Sequence, residues 1–155
     1  MKKYCKWSFI YCSIFIILFF QITSCTKSED QSPRDITWDR DTCVRCKMAV
    51  SDGRFAVQIR GPKGKYYFFD DIGCAINFIK NKSWKPQAKI WVMDYQSENW
   101  IDARTAIWHF NIPNTPMGYG FGETASSNEN DFINFKEVEN QVYTNSNTRQ
   151  IRIKP

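Results

Sequence analysis

"RFAVQIRGPKGKYYFFDDIGCAINFIK", residues 54–80, decides how this chain folds. Phe55, Val57 and Ile59 alternate with polar or small residues, the period-two pattern of a half-buried strand. "GPKG" at 61–64 is turn chemistry, because glycine tolerates unusual φ and proline fixes it. "KYYFFD" at 65–70 is a second, aromatic-rich strand, so 54–70 reads as a β-hairpin. Ile72, Ala75, Ile76 and Ile79 then recur at helical spacing behind Asp70 or Asp71 as N-cap. A hairpin delivered into a capped helix is a β-β-α unit.

Further along, "AKIWVMDY" (88–95) is a strand with Ile90 and Val92 on one face and Trp91, Met93 and Tyr95 on the other. Residues 99–110 supply one or two short strands, and the Gly- and Pro-rich stretch 111–126 fits no regular element. "SSNENDFINFKEVEN" (126–140) sets Phe132, Phe135 and Val138 at spacing three behind serine caps, which reads as a helix. The tail "RQIRIKP" reads as an edge strand or disorder. "YYFFDDIGCAINFIK" and "YGFGETASSNENDFINFKE" both run from an aromatic strand through a capped start to Ile-Asn-Phe. The expected class is therefore α+β: small antiparallel sheets with helices, in two repeated β-β-α units.

Lys2, Lys3 and Lys6 precede a 14-residue apolar run at 7–20, the length of a signal-peptide core and short for a membrane span. Ile22, Thr23, Ser24 and Cys25 follow in the manner of a bacterial lipoprotein cleavage site. That resemblance implies cleavage before Cys25 and lipid on its sulfur. The expected organisation is a signal peptide at 1–24, a polar flexible tether at 25–37 and one domain at 38–155, held at a membrane on the extracytoplasmic side. Loss of the leader leaves 18 basic against 16 acidic residues, a net charge of +2. Without a basic stripe interleaved with aromatics, nucleic-acid binding is not expected. With Cys5 and Cys12 removed and Cys25 lipidated, three thiols remain: Cys43, Cys46 and Cys74. An odd number outside the cytoplasm does not make a pure disulfide framework.

Cys43 and Cys46 form a Cys-x-x-Cys in "DTCVRCKMAVSDG" (41–53). Structural zinc wants four protein ligands. There is no second Cys-x-x-Cys and His109 is the only histidine, so zinc is short of donors unless Cys74 or carboxylates complete the set. A thioredoxin-like redox pair would open a helix, whereas this motif precedes a hairpin; a thiol–disulfide protein remains the alternative. Met48 points elsewhere. A thioether is a good donor for Cu(I) and a poor one for zinc, and Cys46 and Met48 project to the same side of an extended segment. The third donor is Met117, in "NTPMGYG", or else Cys43 or His109. Cys74, beside Ile72 and Ile76, reads as a buried core thiol or a further metal donor. Asp70 and Asp71 read as helix-start residues. No nucleophile sits with a base, so no enzyme is expected.

"DTCVRCKMAVSDGRFAVQIRGPKGKYYFFDDIGCAINFI" resembles the NosL family, the lipoprotein accessory factors of nitrous oxide reductase. The ordered set is Cys43 to Met48, Ala56 to Ile59, Gly61 to Gly64, Phe68 to Gly73 and the later "TPMGYGFG" at 115–122. The resemblance implies a copper chaperone that hands Cu(I) towards nitrous oxide reductase, working with a membrane transport system in the periplasm. It also implies a repeated β-β-α fold. Lys47 departs from the pattern, standing where the family has glycine. If that position needs a positive φ, lysine imposes about 1 kcal/mol of strain.

Overall fold

The computed structural model describes residues 31–125 and 132–153. The expected signal peptide, the lipidation site Cys25 and the serine caps Ser126 and Ser127 lie outside these residues.

The hairpin forms as read. β1 (Val57–Arg60) and β2 (Tyr66–Phe69) pair antiparallel, Val57 opposite Phe69 and Arg60 opposite Tyr66. Lys63 and Gly64 turn the chain at positive φ, and the Gly61 N–H donates to Lys65 O at 2.9 Å. Yet β1 is buried on both faces: Gln58, like Val57 and Ile59, is 0 % exposed. Against one face, α1 (Ile72–Ile79) packs Ile72, Ile76 and Ile79 on Val57, Ile59 and Phe69. On the other, Ala56 and Met93 pack with Ile36 and Val50. There the buried Gln58 amide is satisfied by backbone: the Arg34 N–H donates to its Oε1 at 2.9 Å, and its Nε2 donates to Arg34 O. The stretch expected to be a tether is thus held against the sheet at Arg34 and Ile36, and the second face of β1 is buried because of it.

β3 (Lys89–Met93) and β4 (Trp100–Asp102) complete an antiparallel sheet in the order β2-β1-β3-β4. β5 (Ile107–His109) and β6 (Gly122–Thr124) make a separate two-stranded sheet, followed by α2 (Phe135–Ile153). Trp108 of β5 is fully buried against Phe135, and its indole N–H donates to Ala103 O at 2.9 Å. Ser146 of α2 donates to Asn77 Oδ1 of α1 at 3.1 Å, tying the two helices together.

The fold is α+β, with β1-β2-α1 and β5-β6-α2 as two β-β-α units and the β3–β4 hairpin between them. Three further details differ from the sequence reading. The second helix begins at Phe135, where the Asn134 side chain accepts from the Glu137 N–H at 3.0 Å. Phe132 is therefore before the helix and 56 % exposed, while Phe135, Val138 and Val142 form the buried stripe. The tail is helical rather than an edge strand as far as Ile153, where α2 ends, and residues 154–155 lie outside the described residues. Finally, the Ile-Asn-Phe echo is not positionally equivalent: 76–78 lies inside α1, and 133–135 at the entrance to α2.

Candidate metal centre

Residues 43–48 form a tight loop. The Cys43 N–H donates to Met48 O at 2.8 Å and the Lys47 N–H to Cys43 O at 3.0 Å, with Thr42 bridged to Ala49. Closing the loop needs a left-handed residue, and Lys47 supplies it at φ 69°. The lysine Nζ donates to Val44 O at 2.8 Å, but the backbone strain stays, about 1 kcal/mol. Lys47→Gly is accordingly expected to hold stability or raise it by up to about 1 kcal/mol, and Lys47→Val to lower it by more than about 1 kcal/mol, since a β-branched residue fits worst at positive φ. Urea denaturation of the three proteins checks the order.

This turn aims amides at sulfur. The Cys46 N–H points at Cys43 Sγ and the Met48 N–H at Cys46 Sγ. The loop docks on β2 where the Val44 N–H donates to Phe68 O at 3.0 Å. Two residues on, the Asp70 N–H adds a further donor to Cys43 Sγ. Asp71 caps α1, accepting from the Gly73 N–H at 2.8 Å, and Cys74 lies in the first helical turn. The consequence is a cluster: the sulfurs of Cys43, Cys46 and Cys74 and a carboxylate oxygen of Asp70 all lie within 4.8 Å of one another. The three cysteines are free thiols. Cys43 and Cys74 are 0 % exposed and Asp70 is 2 %, so partly exposed Cys46 is the side open to solvent. Cys46 Sγ donates to Asp70 Oδ2 at 3.2 Å, while among the described residues the buried Asp70 Oδ1 has no hydrogen-bond partner.

The electrostatics separate the sulfurs. The Cys74 thiol donates to Cys43 Sγ and, outweighing burial, holds Cys43 down at about 6, with help from the Cys46 and Asp70 amides. Burial pushes Cys46 up to about 11. Cys74 is raised above the ordinary thiol range by its bond to Cys43 and by burial. At neutral pH one thiolate therefore sits between two protonated thiols. Three converging sulfurs suit a soft, low-coordinate cation, and a metal would displace the remaining protons.

The predicted donors fall in different places. Cys43 and Cys46 are in the cluster. Met48 donates its amide to Cys46 Sγ, and its side chain is 49 % exposed. Met117 is partly buried against the main core, and its N–H donates to Asp71 Oδ2 at 3.1 Å, which clamps the 115–121 loop to the start of α1. His109 lies on β5, edge-on to Tyr95 at 6.0 Å, outside the cluster. Sequence reasoning took Asp70 for a helix-start residue and left Cys74 as a core thiol or a further donor. The signal was present: a helix start needs one capping carboxylate, and two stand in succession.

Fold and site together define a small α+β domain presenting a buried trithiol–carboxylate pocket. Among solved structures, the chain is similar to the copper chaperone NosL from Shewanella denitrificans, at TM-score 0.54 and 15 % identity, over 74 % of this chain and 89 % of that one. At that identity the likeness is one of fold, and this chain has the NosL fold. No family model matches the sequence. No curated protein matches it either.

Proposed function

We propose that this protein is a Cu(I) carrier of the cell envelope. Cys43, Cys46 and Cys74 hold the ion, and Cys46, on the open side, is where it enters and leaves by ligand exchange. The observation that carries this reading is the convergence of three free thiols in one pocket. The fold of a copper chaperone agrees with it. The lipoprotein-like N-terminus supports anchoring through Cys25 on the extracytoplasmic side, and among the described residues no helix is long and apolar enough to cross a membrane. The client in this proposal is nitrous oxide reductase, served together with its membrane transport system; the motif set 43–73 and 115–122 is what supports it. Met117, on a loop clamped beside the pocket, is a thioether for the ion in transit.

A carrier fits these thiols better than a thiol–disulfide protein does. A redox pair needs an accessible nucleophile, and Cys43, the thiol of lowest pKa, is fully buried. A third thiol also has no task in such a pair.

The test is an anaerobic Cu(I) titration of the reduced full chain against a competing chelator, repeated across pH. Two of the three thiols are protonated at neutral pH, so binding as thiolates releases about two protons. Protons compete with the metal, so affinity rises with pH. It should climb about 100-fold per unit between pH 7 and 9, and more steeply below about 6, where Cys43 is also protonated. An affinity independent of pH contradicts binding through these thiols.

A further inference from the structure

Asp70 is unexplained by a site made of sulfur alone. A carboxylate is a poor ligand for Cu(I), and the cap of α1 is supplied by Asp71. Asp70 nevertheless stands 2 % exposed among three thiols, with Oδ1 buried and unpartnered among the described residues. A buried carboxylate oxygen left so costs free energy unless a cation or donor completes it.

We propose that Asp70 is the fourth ligand of a tetrahedral site for a borderline divalent cation, Zn2+, formed by the same pocket when copper is absent. This rests on the reading that Cys43, Cys46 and Cys74 are the copper-holding thiols. Structural zinc takes four protein donors, with sulfur at about 2.3 Å and carboxylate oxygen at about 2.0–2.2 Å, so the edges of its tetrahedron are about 3.6–3.8 Å. The four donor atoms already lie within 4.8 Å of one another, and Cys46 Sγ is 3.2 Å from Asp70 Oδ2. Closing that set asks for side-chain shifts of about 1 Å, with no change of backbone. The amides of Cys46, Met48 and Asp70 already face the sulfurs they would support as thiolates.

Charge argues the same way. Three thiolates and a carboxylate carry four negative charges in a largely buried space. A divalent ion neutralises two of them where Cu(I) neutralises one, and it alone gains from the hard oxygen. Asp70 is then a selector: it binds when the ion is divalent and stands aside when the ion is Cu(I). Binding Zn2+ displaces the thiol protons to solvent and leaves every oxidation state unchanged.

The test uses the reduced full chain under anaerobic conditions, with Co2+ as the visible probe and Zn2+ as competitor, on the parent and on Asp70→Asn. The parent should take one Co2+ with sulfur-to-cobalt charge transfer and d–d bands of tetrahedral intensity, and Zn2+ should erase them. Asp70→Asn should bind Co2+ and Zn2+ at least about 10-fold more weakly, yet hold Cu(I) within about threefold of the parent. Tetrahedral Co2+ of equal affinity in both proteins, or only weak six-coordinate Co2+ in the parent, overturns the proposal. If Asp70→Asn does not fold, the zinc-edge X-ray absorption of the loaded parent decides: three sulfurs and one oxygen support it, and four sulfurs or mostly oxygen overturn it. The copper reading fails separately, if Cu(I) is not held by the thiols while Zn2+ is.

Discussion

Cys74→Ser is expected to weaken Cu(I) binding at least about 100-fold, a loss beyond that of an outer-shell partner, because a thiolate is removed from the ion itself. It should also release Cys43. The Cys74 thiol is the largest influence holding Cys43 near 6, and a serine hydroxyl in its place is a different donor at a different reach. Met48→Ala, whose amide still faces Cys46 Sγ, is expected to change affinity far less than Cys74→Ser. The order of these two variants in a chelator competition separates a pocket built from the three cysteines from one built on the Cys46–Met48 pair. Thermal denaturation of both proteins without metal keeps the comparison clear of folding defects.

Gly73→Ala should have the largest effect on stability. A Cβ at this position would lie 2.1 Å from Cδ2 and 2.2 Å from Cγ of Tyr119, well inside contact distance. Tyr119 has little freedom to yield: it is 9 % exposed, and the Asn77 Nδ2 that donates to its hydroxyl at 3.2 Å also donates to Gly73 O at 2.8 Å. Overpacking of this kind costs about 3 kcal/mol, or a fall in Tm of about 10 °C. Tyr119→Ala is destabilising by itself through the lost ring. Combined with Gly73→Ala it should cost much less than the sum, since the clash needs both groups. Strict additivity would place the strain elsewhere.

The legible parts of the molecule were those with a local cause. The hairpin and α1 followed from alternation, a Gly-Pro turn and a capping aspartate within residues 54–80, and the structure has the hairpin, the turn and the cap, with β1 buried on both faces rather than one. The strand read at 88–95 forms at Lys89–Met93 with the expected faces, Ile90 and Val92 in the main core and Met93 on the opposite side. What the sequence hid was long-range. Nothing local says that Arg34 satisfies Gln58 across 24 positions, or that the polar stretch holding Arg34 and Ile36 covers a sheet. The start of α2 was misplaced because Phe132 has the right spacing to Phe135 and Val138, and only tertiary packing tells a helix position from an entrance.

The pocket was half legible. Cys-x-x-Cys announced Cys43 and Cys46, and the lysine standing in a glycine position announced the left-handed turn that Lys47 adopts at φ 69°. The third sulfur was weighed mainly as core, because a cysteine among isoleucines on a helix face is ordinarily that. Three thiols remaining after the leader was set aside held the better clue: if they meet, none is left over. Zinc was counted short of donors unless Cys74 or carboxylates completed the set, and Cys74 and Asp70 are the residues the fold brings to Cys43 and Cys46.

Copper K-edge X-ray absorption on the anaerobically loaded full chain and its Cys74→Ser variant bears on the trithiolate pocket most directly. The expected first shell holds three sulfurs in the parent and one fewer in the variant. A parent shell dominated by nitrogen or oxygen, or a variant with the parent's sulfur count, would contradict copper binding by Cys43, Cys46 and Cys74.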